Sequence, residues 1–256
     1  NGADIYLENN ILYLNSNEGK KITFEGGITG KNSIININDK TKNLYEDLSS
    51  TGQIVIDNFV MPEKESALPV NLKGGTLKLT QEKYLDGTDL TLEEGSILDL
   101  TNNKTGTMSL NSLTSNNGNL NMDMDLSGKE QNFDYINAKT ASGNLNISGI
   151  NVLSDMEDNV NEISVDISQF GLPHTIALNT SGNEINTLTN DYLYTVTSDG
   201  KKIEVNRLTD DEGNAKIIDG FTTAVNQNDI IDGHEINLSD NRVYSANKDI
   251  EITAQD

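Results

Sequence analysis

A short phrase occurs five times between Gly74 and Asn151: Gly75-Thr-Leu-Lys-Leu79, Gly95-Ser-Ile-Leu-Asp-Leu100, Gly106-Thr-Met-Ser-Leu110, Gly118-Asn-Leu-Asn-Met122 and Gly143-Asn-Leu-Asn-Ile147. Each reads as a turn followed by a short alternating strand. Alternation puts Leu77 with Leu79, and Leu120 with Met122 and Met124, on one side of the chain. Thr76, Lys78, Asn119, Asn121, Asp123 and Asp125 are then expected to face water. One such strand cannot cover its own apolar stripe; a neighbour of the same pattern can, so the repeats argue for coils stacked on one another with caps at the ends. The predicted class is all-β, a parallel β-solenoid.

Composition agrees with a thin core. Hydrophobic residues make up 34% of the 256-residue chain and aromatics 5%, with no Trp. A solenoid buries one narrow stripe per strand, whereas a doubly wound sheet needs apolar residues on both faces. The net charge of −22 repels phosphates and anionic lipids, which excludes nucleic acid as an expected partner and leaves divalent cations as an option. There is no Cys, hence no disulfide framework and no thiolate metal site. No apolar run approaches the ~20 residues of a membrane-crossing helix, so direct membrane insertion is not expected. The chain opens on Asn1-Gly2 without the pattern of a signal peptide and reads as a piece cut from something longer.

Along the chain, residues 3–37 read as short strands broken at Asn9-Asn10, Asn17-Glu18-Gly19, Gly26-Gly27 and Gly30. Residues 39–50 loosen into a helical turn or lateral loop around Leu44, Tyr45 and Leu48. Pro62 and Pro69 bracket a projecting loop, because proline removes a ladder donor. Residues 151–163 read as an acidic excursion, and two strands flank Phe170-Gly-Leu-Pro173. Two alternating runs meet at Asp199-Gly200, which predicts an antiparallel hairpin over 192–206 that closes the stack. The domain reading is a solenoid over 1–206 with that capping hairpin, then a linker and short strands over 207–256 that begin a second solenoid block.

Ala3-Asp-Ile-Tyr-Leu-Glu8, Phe24-Glu-Gly-Gly-Ile-Thr-Gly30, the Gly75 phrase, Asn119-Leu-Asn-Met-Asp-Met-Asp-Leu-Ser-Gly128 and Ala141-Ser-Gly-Asn-Leu-Asn-Ile147 together resemble the passenger regions of bacterial autotransporters, of the polymorphic outer-membrane-protein type. The resemblance covers most of residues 1–206. It implies a right-handed parallel β-helix, displayed at the outer membrane of a Gram-negative bacterium or secreted, and used as an adhesin-type stalk. Host or bacterial surface glycans and proteins are the partners it implies, with the segment itself a monomer. The chain departs from the family in lacking translocator-barrel strands and most Gly-Gly-Ala-Ile-Tyr-type repeats.

The residues argue against catalysis. Polysaccharide lyases on parallel β-helices use a cationic base and clamp over a strand face, and the two arginines, Arg207 and Arg242, fall after the repeats. The two histidines, His174 and His234, sit in turns beside Pro173 and Gly233; spacing alone leaves a nucleophile–His–acid grouping open. No cofactor is expected. The metal hypothesis is Ca²⁺ held by the oxygens of Asp123, Asp125 and Asp134, with Asp210-Asp-Glu-Gly-Asn214 a second candidate; neither has EF-hand spacing, and solvated outward carboxylates are the plainer reading. Asn pairs such as Asn36/Asn38 and Asn144/Asn146 read either as a recognition array or as amides stacked from coil to coil. The alternatives to a display module are a polysaccharide-active enzyme, marked by a cleft with converging carboxylates, and a surface-layer or phage-fibre module, marked by lattice or trimeric assembly.

Overall fold

The computed structural model describes residues 4–42, 49–60, 67–127, 132–182, 184–189, 192–210 and 212–216. The expected strands beyond 217, His234, Arg242 and the centres of the 39–50 and 61–70 loops lie outside the described residues.

Alternating sequence becomes strand almost throughout. In chain order the strands are β1 (Ile5–Glu8), β2 (Ile11–Leu14), β3 (Lys21–Lys31), β4 (Ile34–Ile37), β5 (Gln53–Val60), β6 (Val70–Leu72), β7 (Thr76–Leu79), β8 (Asp89–Leu92) and β9 (Ile97–Asp99). They continue as β10 (Thr107–Asp125), β11 (Asn132–Phe133), β12 (Tyr135–Ser154), β13 (Glu162–Asp166), β14 (Ile176–Thr180), β15 (Ile185–Leu188), β16 (Leu193–Ser198) and β17 (Lys202–Arg207). All but β13 and β15 to β17 form one sheet wound on itself, whose pairs are parallel apart from the short β10/β11 reversal.

Two long ladders set the register. On one, Ile22 pairs Ile54, then Leu77, Leu98, Leu120, Ile147 and Thr180 in turn. On the other, Leu12 pairs Ile35, Val70, Leu90, Leu113 and Ala141. Apolar side chains therefore stack on apolar side chains from coil to coil, and Leu72, Leu77, Leu79, Leu92, Leu98 and Leu145 are wholly buried. Burial of this kind is worth roughly 1.5–3 kcal/mol per large apolar side chain, and each rung receives it only from its neighbours.

The corners are tight. Gly75 and Gly143 have φ of 57° and 92°, a region open to glycine and strained for other residues. A Cβ on Gly143 would lie 2.0 Å from the Ser115 carbonyl oxygen of the coil beneath. Asn38, at φ 53° and 1% exposed, ties three coils: its Oδ1 accepts from Ser16 N at 2.9 Å, and its Nδ2 donates to the Gly52 and Gly74 carbonyls at 2.9 and 3.1 Å. The coil-to-coil stacking of Asn amides is present where Asn71 Nδ2 donates to Asn36 Oδ1 at 3.0 Å.

The hairpin at Asp199-Gly200 forms as β16 and β17, but it belongs to a four-stranded antiparallel sheet in the order β13-β17-β16-β15. This small sheet is fastened to the last coil: Leu178 N donates to the Gly200 carbonyl at 3.0 Å. Of the expected excursion over 151–163, residues 151–154 continue β12 and 162–166 form β13, leaving a loop of 155–161. That loop is clamped by Arg207, 3% exposed, whose guanidinium donates to the carbonyls of Met156, Glu157 and Asp158 and to Asn161 Oδ1 at 3.0–3.2 Å and lies 4.6 Å from the Tyr192 ring centre.

Candidate functional site

Several acidic side chains among the described residues close turns. Asp39-Lys-Thr41, Asp99-Leu-Thr101, Asp125-Leu-Ser127 and Asp166-Ile-Ser168 repeat one device: Oδ1 accepts from the backbone N–H two residues on at 2.9–3.0 Å, and from that residue's hydroxyl at 2.6–2.7 Å. These are Asx turns reinforced by a second donor. The spacing Asp-x-Ser/Thr was visible in the sequence and went unread.

Three further carboxylates gather where one corner meets the next coil. Glu82 begins the 3-10 turn Glu82–Leu85, Asp123 lies in the last part of β10, and Asp134 stands between β11 and β12. Asp134, 1% exposed, accepts from Gly106 N at 2.9 Å and from Asp123 N at 2.7 Å. Burial, with Glu82 and Asp123 nearby, pushes its pKa up to about 7 against the pull of those two N–H donors.

Asp123 was expected to face water, and the structure corrects this: its side of β10 does point out of the wound core, but the 102–104 turn folds over it and leaves it 0% exposed. Its Oδ2 accepts from Asn102 N at 2.7 Å and Lys104 N at 3.1 Å, and its Oδ1 from Asn151 Nδ2 at 2.5 Å. Of the proposed calcium ligands, Asp123 and Asp134 are brought together, while Asp125 is taken by Ser127. Among the described residues no three His, Asp or Glu side chains are grouped as metal ligands. Both oxygens of Asp123 and both of Asp134 accept from N–H donors, so the pair acts as a hub holding the 101–106 turn. Asp210, from the second candidate, accepts from the backbone of Glu212 and Asn214 at 3.0 and 2.8 Å and closes its own turn.

Beside the hub lies an open groove of about 420 Å³ lined by Thr80, Glu82, Lys83, Asn102, Lys104 and Thr107 among others. Glu82 Oε1 accepts from Asn102 Nδ2, and Asn102 Oδ1 is buried without a hydrogen-bond partner among the described residues. The groove is polar and carries both signs of charge. Glu82 reaches it, but Asp123 and Asp134 do not line it. Glycoside hydrolysis uses two carboxyl groups flanking the bond, and one lining carboxylate, 8% exposed, does not make that pair.

His174 is exposed and its Nε2 lies 2.8 Å from Asp166 Oδ1, the same oxygen that Ser168 Oγ donates to at 2.6 Å. In a hydrolytic triad the imidazole stands between hydroxyl and carboxylate; here the carboxylate stands between the other two. These bonds hold the Asp166 pKa down at about 2, with Ser168 the larger cause. Comparison with family models, with curated proteins and with solved structures finds no match.

Proposed function

We propose that the chain is a non-catalytic display module: a segment of right-handed parallel β-helix of the autotransporter-passenger kind, carried outside a Gram-negative cell and offering corner loops to surface glycans or proteins. The hand and the cellular address come from the resemblance, which covers most of residues 1–206. One observation carries the functional reading. Ile35 pairs Val70 and Val70 pairs Leu90, so steps of 35 and 20 residues fit the same ladder. The longer step leaves the register of the next rung unchanged. A scaffold that absorbs insertions in this way positions loops without depending on them for its core.

The 39–50 and 61–70 segments are the contact loops on this reading; the 155–161 loop, fixed by Arg207, contributes to the cap. The test is binding of the purified chain to glycan arrays and bacterial or host cell surfaces, with each corner segment replaced in turn by a short turn. The reading expects binding lost with one loop while thermal unfolding stays unchanged. Binding insensitive to both loops, or none at all, would contradict it. The second reading, a polysaccharide-active enzyme, rests on Glu82 in its groove. Release of sugar products that stops with Glu82→Gln would establish it in place of the first.

A further inference from the structure

The turn between β9 and β10 is held chiefly by carboxylates. Residues 101–106 lie outside both strands, so the ladders do not fix them. The backbone N–H groups of Asn102 and Lys104 donate to Asp123 Oδ2, that of Gly106 donates to Asp134 Oδ1, and the Asn102 side chain donates to Glu82. The two aspartates are anchored more firmly than the turn. Asp123 sits in β10 opposite Asn151 of β12, and Asp134 is tied to it twice, by N to the Asp123 carbonyl at 3.1 Å and by Oδ2 to Asp123 N at 2.7 Å. Of the two sides of this contact, the turn is the one free to move.

Three acids, Asp123, Asp134 and Glu82 at 0, 1 and 8% exposed, meet there without a cation. Among the described residues none of them makes an ion pair. Lys78 of β7 is taken by Asp99 and Thr101, while Lys83 and Lys104 line the groove. Strand β5 brings a further acid, Asp57, bonded to Thr80, and β12 brings the neutral Asn151. Buried like charges of this kind do not all ionise together, and the Asp134 pKa of about 7 agrees with that. Asn102 supplies an independent sign. It bridges Asp123 and Glu82, and its Oδ1 is buried with no donor among the described residues. A protonated carboxyl is the kind of donor that such an acceptor lacks.

We propose that Glu82, Asp123 and Asp134 form a proton-linked latch: the closed 101–106 turn keeps one proton among the three carboxyls, and opening the turn releases it. When the turn lifts, water reaches the cluster, the carboxyl O–H bond breaks and the proton passes to solvent, leaving three hydrated carboxylates. The sign follows from the pKa, near 7 in the closed turn and returning toward 3.8 in the open one. The closed form is favoured in full below pH ~4, each unit of pH from there to ~7 shifts the balance toward the open form by up to about tenfold, and above pH ~7 the shift is complete. Asn102, Lys104 and Thr105 are part of the groove wall, so acid tightens that wall and neutral pH loosens it, while the wound sheet beneath stays paired.

Residue-resolved amide exchange of the 256-residue chain between pH 5 and 8, with a chelator present and each rate divided by its intrinsic value, tests this. The expected result is protection of the Asn102, Lys104 and Gly106 amides that falls roughly tenfold between pH 5 and 6 and levels off above pH ~7. The ladder amides of Ile54, Leu77 and Leu145 should keep their protection. Asp134→Asn should abolish the fall, and Asp199→Asn, in the hairpin turn, should leave it in place. If Asp134→Asn does not fold, the unaltered chain carries the test: the infrared C=O band of one protonated carboxyl should be present at pH 6 and gone by pH ~8.5. Turn protection that ignores pH, a fall shared equally by the ladder amides, or no such band at pH 6 would overturn the proposal.

Discussion

Replacing Asn38 by alanine should cost more than any other single amide among the described residues. The side chain holds Ser16 N, the Gly52 carbonyl and the Gly74 carbonyl in three different coils, and at 1% exposure water cannot take over. A net bond is worth ~1 kcal/mol and a buried group left without a partner costs ~1–3, so three losses come to about 4 kcal/mol. The φ of 53° adds to this, because alanine tolerates the left-handed region less well than asparagine. Against a total stability of about 5–15 kcal/mol, the variant should unfold at a much lower urea concentration with little change in slope. Asn38→Asp is the sharper comparison: it keeps the acceptor for Ser16 N, loses both donors and turns a carboxylate toward two carbonyls, so it should be worse than alanine near neutral pH. Asn71→Ala, which removes one bond of an amide pair, should cost about 1 kcal/mol. A loss below 1 kcal/mol for Asn38→Ala would refute the idea that this corner fastens the coils.

Gly143→Ala should lose several kcal/mol or fail to fold, measured by chemical denaturation, because the added Cβ meets Ser115 O at 2.0 Å in a φ of 92°. Arg207→Met should cost about 3 kcal/mol by removing charge-assisted bonds to the 156–161 loop, and hydrogen exchange should speed up in that loop and in β17 before it does so in the wound sheet. Asp134 sets a pH dependence. Its pKa rises from 3.8 to about 7 on folding, so the folded state binds the proton more tightly; stability from this group is full below pH ~4 and falls as pH rises to ~7, by at most about 4 kcal/mol. Asp39, Asp199 and Asp210 are lowered by hydrogen bonds to neighbouring residues and lose stability in the opposite sense, below pH ~4. The thermal midpoint should therefore peak between pH ~4 and ~6 and decline toward pH 8, and Asp134→Asn should flatten the decline between pH 5 and 8.

The inward stripe and the capping hairpin were legible because both are local. Leu77 and Leu79 alternate within β7, Leu120, Met122 and Met124 within β10, and all five are buried as that alternation requires. Asp199-Gly200 is a turn dipeptide between two β-patterned runs, and β16 and β17 pair across it. What escaped was non-local. Gly118 and Gly143 read as turns that end strands, yet β10 and β12 run through them as continuous, bent strands: parallel neighbours keep pairing around a corner, with register shifts at Asn116/Gly118 and Met124/Asp125. Asp123 alternates outward as expected, and its burial comes from Asn102 and Lys104, about 20 residues away, folding over it. Likewise Asp134 finds Gly106 from the preceding coil. Strands β13 and β15 follow ordinary alternation, and nothing in their own residues distinguishes an antiparallel cap from one more coil.

The winding itself is open to one direct measurement. Lys21, Gln53, Thr76, Ile97, Asn119, Asn146 and Asn179 are successive partners along one ladder. The chain has no native cysteine, so nitroxides can be placed in pairs at Lys21 with Asn119, Asn146 or Asn179 and read by pulsed electron–electron resonance, diluted with unlabelled chain. At about 4.8 Å per rung, the account predicts backbone separations near 19, 24 and 29 Å, growing by one equal step per coil. Distances that fail to increase in that order, or that collapse to a common value, would contradict a parallel sheet wound coil upon coil.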